Sequence, residues 1–286
     1  MRLFNKSIHD LFRQRTKIRL APSIEIQRLE NFPSRFLERS VGIEVYLPPG
    51  HFSEPAAAGY PYVIFNDGQD LEAVQLVPTL ERLWRMGRLP HLIAVGVYAG
   101  DRMQEFGTAH QPDYQQRGSR ASAYAQFITL ELLPMLQQRY HLSSEMTDAA
   151  IAGFSLGGLS ALDIAWQYPQ VFSKVGVFSG SLWWRSAAFR PEDPDADRIA
   201  HRMIAQGPYR VDMKFWLQTG TNDETDDRNN NGIIDSIDDT LDLITELEGV
   251  GYRQGRDIRY VEVEDGEHNP RTWGQAMPDF LQWVFS

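Results

Sequence analysis

A single α/β domain built on a mostly parallel eight-stranded sheet, with helices on both faces, is the fold class the sequence predicts. Three observations predict it: eight short β-branched or alternating runs, helical periodicity between the later runs, and a length of 286 residues, which one large core of this class accommodates. The first two runs, Ile24 to Leu29 and Val41 to Leu47, alternate as half-exposed antiparallel strands do. The next six are Tyr62 to Phe65, Leu92 to Tyr98, Ala149 to Gly153, Lys174 to Phe178, Phe215 to Gln218 and Ile258 to Val263. Several of these are nearly continuous in apolar residues, the pattern of strands covered on both faces. Apolar residues recur at helical spacing at Tyr124, Phe127, Ile128, Leu132, Met135 and Leu136, at Leu159, Leu162 and Ala165, and at Leu241, Ile244 and Leu247. Strand and helix in alternation imply right-handed crossovers between parallel strands.

Residues 24–286 form the expected domain, with an insertion at about 181–212 that carries its own helix near Asp195 to Ile204. Residues 1–23 mix Arg2, Lys6, Arg13, Arg15, Lys17 and Arg19 with Leu3, Phe4, Ile8, Leu11 and Phe12. That is the composition of a basic helical segment packed on the domain or on the sister subunit of a homodimer, or laid on an anionic surface.

Charge and composition exclude several classes. With 38 acidic and 28 basic side chains the net charge is −10, which argues against a nucleic-acid partner. The absence of cysteine removes disulfides, thiolate metal sites and cysteine nucleophiles together. No signal-peptide core appears in MRLFNKSIHDLFRQRTKIRL, and the longest apolar stretch, Leu92 to Gly100, is too short to span a membrane. A cytoplasmic protein is the default expectation, with a processed secreted form left open.

Gly153-Phe154-Ser155-Leu156-Gly157 matches the G-x-S-x-G nucleophile elbow. By composition the pattern arises by chance roughly 0.1 times in a chain of this length, so its setting decides. It directly follows an apolar run and opens a helical pattern, the strand-turn-helix context an elbow needs, because flanking glycines let strand and helix close around a strained serine. The order nucleophile, acid, histidine then directs attention to Asp223 and Glu224 after the seventh run and to His268 after the eighth. Imidazole can take the serine proton near neutral pH and return it to a leaving group, while the acid fixes its tautomer. His9, His51, His91, His110, His141 and His201 lack that placement and read as surface or packing residues. Asp223 is favoured over its neighbour Glu224. An oxyanion hole takes two backbone N–H groups, expected from Leu156 and from Gln69 in the turn Phe65-Asn66-Asp67-Gly68-Gln69.

With these residues in place, the chain resembles the esterase family of α/β-hydrolases that includes enterochelin esterases and esterase D. The likeness runs from about Ile24 onward. It rests on Phe65 to Gln69, Leu130-Glu131-Leu132-Leu133-Pro134 with Arg139-Tyr140, Gly153 to Gly158, and Gly266-Glu267-His268 with Trp273. It implies an α/β-hydrolase fold and a serine carboxyl-ester hydrolase acting on a small-molecule ester, with Ser155, His268 and one of Asp223 or Glu224 as its triad and no catalytic cofactor. It leaves the substrate open, since members cleave siderophore esters, feruloyl and acetyl sugar esters and thioesters, and some are acyltransferases.

Two further features stand apart. Asp227, Asn229, Asn231, Asp235 and Asp238 occupy positions 1, 3, 5, 9 and 12 of a loop with Gly232 at position 6, and the Ile233 carbonyl falls at position 7. This is the spacing of a calcium loop, with Asp in place of the usual final Glu; a structural Ca²⁺ there would stiffen the acid loop. The same residues also suit a plain turn and helix N-cap. Trp183 and Trp184, with Phe189, follow the sixth run, where they suit either a substrate wall or the core under the insertion. The rival reading from another class is a non-catalytic, calcium-binding scaffold of the same fold.

Overall fold

A computed structural model describes residues 23–53 and 56–286. The eight strands are β1 (Glu25–Ser34), β2 (Arg39–Leu47), β3 (Tyr62–Asn66), β4 (Ile93–Val97), β5 (Ala149–Phe154), β6 (Lys174–Phe178), β7 (Lys214–Asn222) and β8 (Ile258–Glu267). They form one sheet in the order β1-β2-β4-β3-β5-β6-β7-β8. β1 and β2 pair antiparallel, and β2 meets β4 antiparallel. From β4 onward every pairing is parallel. All eight expected strands are therefore present, and the two alternating runs are the antiparallel ones.

The helices are α1 (Leu76–Arg85), α2 (Arg102–Glu105), α3 (Ala121–Gln126), α4 (Leu133–Tyr140), α5 (Leu156–Gln167), α6 (Ile199–Ala205), α7 (Asp235–Val250) and α8 (Pro270–Val284). Two cores flank the sheet. One gathers Leu76, Leu80 and Leu83 of α1 and Met277, Phe280 and Leu281 of α8 against Phe65, Phe154 and Trp216. The other holds Tyr124, Leu136, Leu159, Leu162, Leu243 and Leu247 against Ile64, Ile151, Val175 and Leu217. Burying both faces is what the continuous apolar strands require.

Three local expectations are corrected. The periodic stretch from Tyr124 to Leu136 is not one uniform helix, because a π-helical turn over Phe127–Leu132 separates α3 from α4. The insertion helix starts at Ile199 rather than Asp195, since Asp197 takes a φ of 64° and Arg198 is extended. β7 and β8 run past the expected ends and pair Asn222 with Glu267 across a register shift. Gly220 and Gly266 fall beyond the expected strand ends, yet they lie inside these strands, where a Cβ on Gly220 would overlap the Gly266 carbonyl.

The insertion is tied to α7 by ion pairs beneath the surface. Arg198 bonds Asp239 and Asp242, each at 2.6 Å, and His201 Nε2 lies 2.8 Å from the Asp239 carbonyl. The basic segment expected over residues 1–23 falls outside the described residues, except for Ser23. Among the described residues no helix is long and apolar enough to cross a membrane.

Candidate active site

The turn from β5 into α5 is closed by glycine. An added Cβ on Gly153 would overlap the Gly157 carbonyl, and one on Gly157 would stand 2.6 Å from Asp67 Oδ2. Between them Ser155 takes φ 55° and ψ −119°, a conformation that a residue with a side chain adopts only when its surroundings impose it. Those surroundings are hydrogen bonds: the Ser155 N–H donates to Phe178 O at 2.8 Å, and its carbonyl accepts from Gly158 and Ser181 at 3.0 and 3.1 Å. Its Oγ lies 3.3 Å from the Ser181 hydroxyl.

The loops after β7 and β8 carry Asp223 and His268, which lie near enough for each charge to act on the other, although no hydrogen bond or ion pair joins them. Asp223 is 9% exposed and both of its carboxylate oxygens are buried without a completed hydrogen bond. Burial pushes its carboxyl above the ordinary value, while the Ser179 hydroxyl, the Gly220 amide and the charge of His268 pull the other way. His268 is exposed as a residue, and its imidazole sits lower than an ordinary one, chiefly through partial loss of water around the ring and further through the Arg102 cation, with Asp223 opposing. Of the two adjacent acids, it is Asp223 whose charge acts on His268. Glu224 lines a separate cleft of about 540 Å³ with Trp183, Phe189, Tyr114 and Arg117. Its carboxyl is raised to about 7, first by burial and then by the negative charges of Asp235, Asp226 and Asp239.

Leu156 is the first residue of α5, and Gln69 lies in a single 3-10 turn, Gly68–Asp70, directly after β3. Backbone N–H groups in a first helical turn have no intrahelical acceptor, so both are available to a ligand. Hydrogen bonds join the two segments. Asn66 Nδ2 donates to Gly157 O at 2.8 Å, and Tyr124 holds Asn66 from behind at 2.8 Å. Arg102 grips the fully buried Asp67 through two bonds of 2.8 and 2.9 Å and donates to Phe154 O at 3.0 Å.

Sequence reasoning missed Asp67, Arg102, Ser179 and Ser181. Arg102 lies in the short helix α2, and its role depends on a partner 35 residues away; no local spacing marks it. Asp67 read only as half of an Asp-Gly turn.

The two tryptophans separate. Trp183 is 41% exposed on the cleft, whereas Trp184 is fully buried. Trp184 packs on Gly107 and Gly118 as core, so of the two roles open to the pair it takes the core one, and it is not placed to line a substrate wall.

In the loop after Asp223, Asp227 accepts from the amides of Asn231 and Gly232 at 3.1 and 2.9 Å. Asn229 and Asn231 likewise accept from the amides of Asn231 and Ile233. Arg228, 6% exposed in its side chain, pairs with Asp195, Asp235 and Asp239. Among the described residues no three His, Asp or Glu side chains are gathered to hold a metal ion.

Comparison with known proteins gives a consistent outcome. Residues 34–284 match the model of an esterase family described as "Putative esterase". The uncharacterized protein YbbA of Bacillus subtilis is 24% identical over 246 residues, covering 84% of this chain and 91% of that protein. The crystal structure of enterochelin esterase from Shigella flexneri superposes with a TM-score of 0.72 at 20% identity, covering 93% of this chain. This chain spans 59% of that protein's length. A ferulic acid esterase gives a TM-score of 0.66 at 18% identity, covering 92% of this chain and 97% of the other.

Proposed function

The chain belongs to this esterase family of α/β-hydrolases and is a carboxylic-ester hydrolase, and from that premise we propose that it acts through an acyl-enzyme on Ser155, with His268 and Asp223 completing a triad. The observation that carries this reading is the strained Ser155 at the end of β5, set in one sheet with the Asp223–His268 pair at the ends of β7 and β8.

The Ser155 Oγ attacks the ester carbonyl carbon as His268 takes its proton. Asp223 orients the imidazole and stabilises the imidazolium that forms. Negative charge collects on the former carbonyl oxygen, where the N–H groups of Leu156 and Gln69 are its donors. When the tetrahedral adduct collapses, the bond to the alcohol oxygen breaks and His268 gives its proton to that oxygen. Water then repeats the sequence on the acyl-enzyme and releases the acid. Trp183, Phe189 and Tyr114 offer exposed rings in the cleft that Glu224, the residue after Asp223, also lines, and part of a bound ester would stack there.

The test is covalent labelling with a fluorophosphonate, read by intact mass. One adduct on the native protein and none on Ser155→Ala is the expected result. Absence of an adduct on folded native protein would favour the non-catalytic scaffold instead.

We also propose that the Asp227 to Asp238 loop takes a structural Ca²⁺. Support comes from the spacing of the loop and from Asp227, Asn229 and Asn231, whose side chains fold back onto the amides of residues 231–233. The ion has to draw Asp235 and Asp238 from Arg228, so the expected affinity is moderate. Calcium should raise the melting temperature and EDTA reverse it, with Asp227→Ala unresponsive; a melt indifferent to both reagents removes the proposal.

A further inference from the structure

The residue after β6 connects three parts of the site that the proposed chemistry leaves unexplained. Ser179 is 1% exposed and takes a φ of 46°. Its N–H donates to Gln218 O of β7 at 2.7 Å, which holds the turn against the strand that carries Asp223. Its Oγ accepts from the indole Nε1 of Trp273 at 2.9 Å. Trp273 in turn stacks on Phe154, at 4.9 Å between centroids and 16° between planes, and meets the His268 ring edge-on at 5.5 Å.

The direction of these bonds follows from elementary chemistry. An indole nitrogen can only donate, so Ser179 Oγ is the acceptor there and its own hydrogen remains to be given. The carboxylate of Asp223 is the buried acceptor within that hydroxyl's influence, and neither Asp223 oxygen has a completed hydrogen bond of its own, from Ser179 or from any other group. A buried carboxylate without donors is costly to ionise.

We propose that Ser179 is a positioning residue for the triad: its hydroxyl, oriented by the Trp273 N–H, closes a hydrogen bond onto the unpartnered Asp223 carboxylate and keeps it charged and aimed at His268. The inference rests on the triad reading above. Ser179 touches no reacting atom, so it acts only through Asp223. The other groups that face the pair are Arg102, from α2, and Tyr260, whose hydroxyl is 2.7 Å from Thr219 Oγ1. Neither contributes a hydrogen bond to Asp223 in this arrangement.

Ser179→Ala removes the donor while keeping the backbone class. With a p-nitrophenyl ester, kcat should fall about 10- to 100-fold, the worth of one charge-assisted hydrogen bond, while KM changes little. The acid limb of kcat/KM should also move to higher pH. With its donor gone Asp223 competes better for the shared proton, so the ionised acid and neutral imidazole form only at higher pH. A variant that keeps the wild-type kcat, or one that loses activity with an unmoved acid limb, overturns the proposal; the second result would make Ser179 a packing residue. If Ser179→Ala does not fold, Trp273→Phe, which keeps a ring on Phe154 and deletes the N–H, is read by the same two criteria. Fluorophosphonate labelling of the native protein separates the two failures. No adduct there sinks the triad itself, whereas native labelling beside an unaffected Ser179→Ala sinks only the positioning role.

Discussion

At the scale of single residues, the proposed chemistry depends on how far His268 departs from a free imidazole. Its value lies below the ordinary one, so the neutral base is present at pH values where a free histidine is already charged. The acid limb of kcat/KM is therefore expected below about 6.5, the unperturbed value. Arg102 contributes to that depression by placing a cation near the ring, and its removal should let the imidazole hold its proton to higher pH. Arg102→Met is expected to move the acid limb upward and to lower kcat, because it also unpairs the buried Asp67. A pH–rate profile on both proteins checks the sign. Ser155 and His268 were legible in sequence because each belongs to a short motif at a known place in the strand order. Arg102, Asp67 and Ser179 were not, since a side chain that matters through one distant partner leaves no periodicity behind.

At the scale of elements, the strand ends decide how the site is spaced. Gly220 of β7 lies so near Gly266 of β8 that a methyl group on it would overlap the Gly266 carbonyl and reach within 2.8 Å of Asp223 Oδ1. Gly220→Ala should push the acid away from the histidine loop and cut kcat about tenfold or more, with KM for a small ester nearly unchanged. Steady-state kinetics beside a thermal melt would show whether the loss is local. The eight strands were readable because alternation and apolar continuity report which face of a strand is buried. Their ends were not, because the apolar pattern stops at Gln218 and Val263 while the pairing runs on through Gly220 and Gly266, whose close approach leaves no apolar signal. The same ambiguity applied to Trp183 and Trp184: adjacent residues of one type, one exposed at 41% and the other fully buried. Which of two neighbouring rings turns inward is settled by Gly107 and Gly118, which lie far earlier in the chain.

At the scale of the whole molecule, the parallel strands deliver every part of the proposed mechanism to one edge of the sheet. β3 leads to Gln69, β5 to Ser155, β6 to Ser179, β7 to Asp223 and β8 to His268. The fold class could be inferred from the order of elements, whereas the arrangement at that edge depends on contacts between segments far apart in sequence. The insertion is drawn into the same unit: Arg198 and Arg228 are each 6% exposed in their side chains and share Asp195 and Asp239. The wall that carries Trp183 is thus braced against the helix that follows the acid loop. Charges buried in this way hold geometry more than they add stability.

The strand order has a further consequence, in time rather than space. β5 pairs with β3 and β6, yet the histidine comes after β8, at the far margin of the sheet. During synthesis the elbow serine is made more than 100 residues before its base. On the proposed mechanism the nascent chain carries an unactivated serine throughout that interval, and activity begins only once β8 and α8 have joined the sheet.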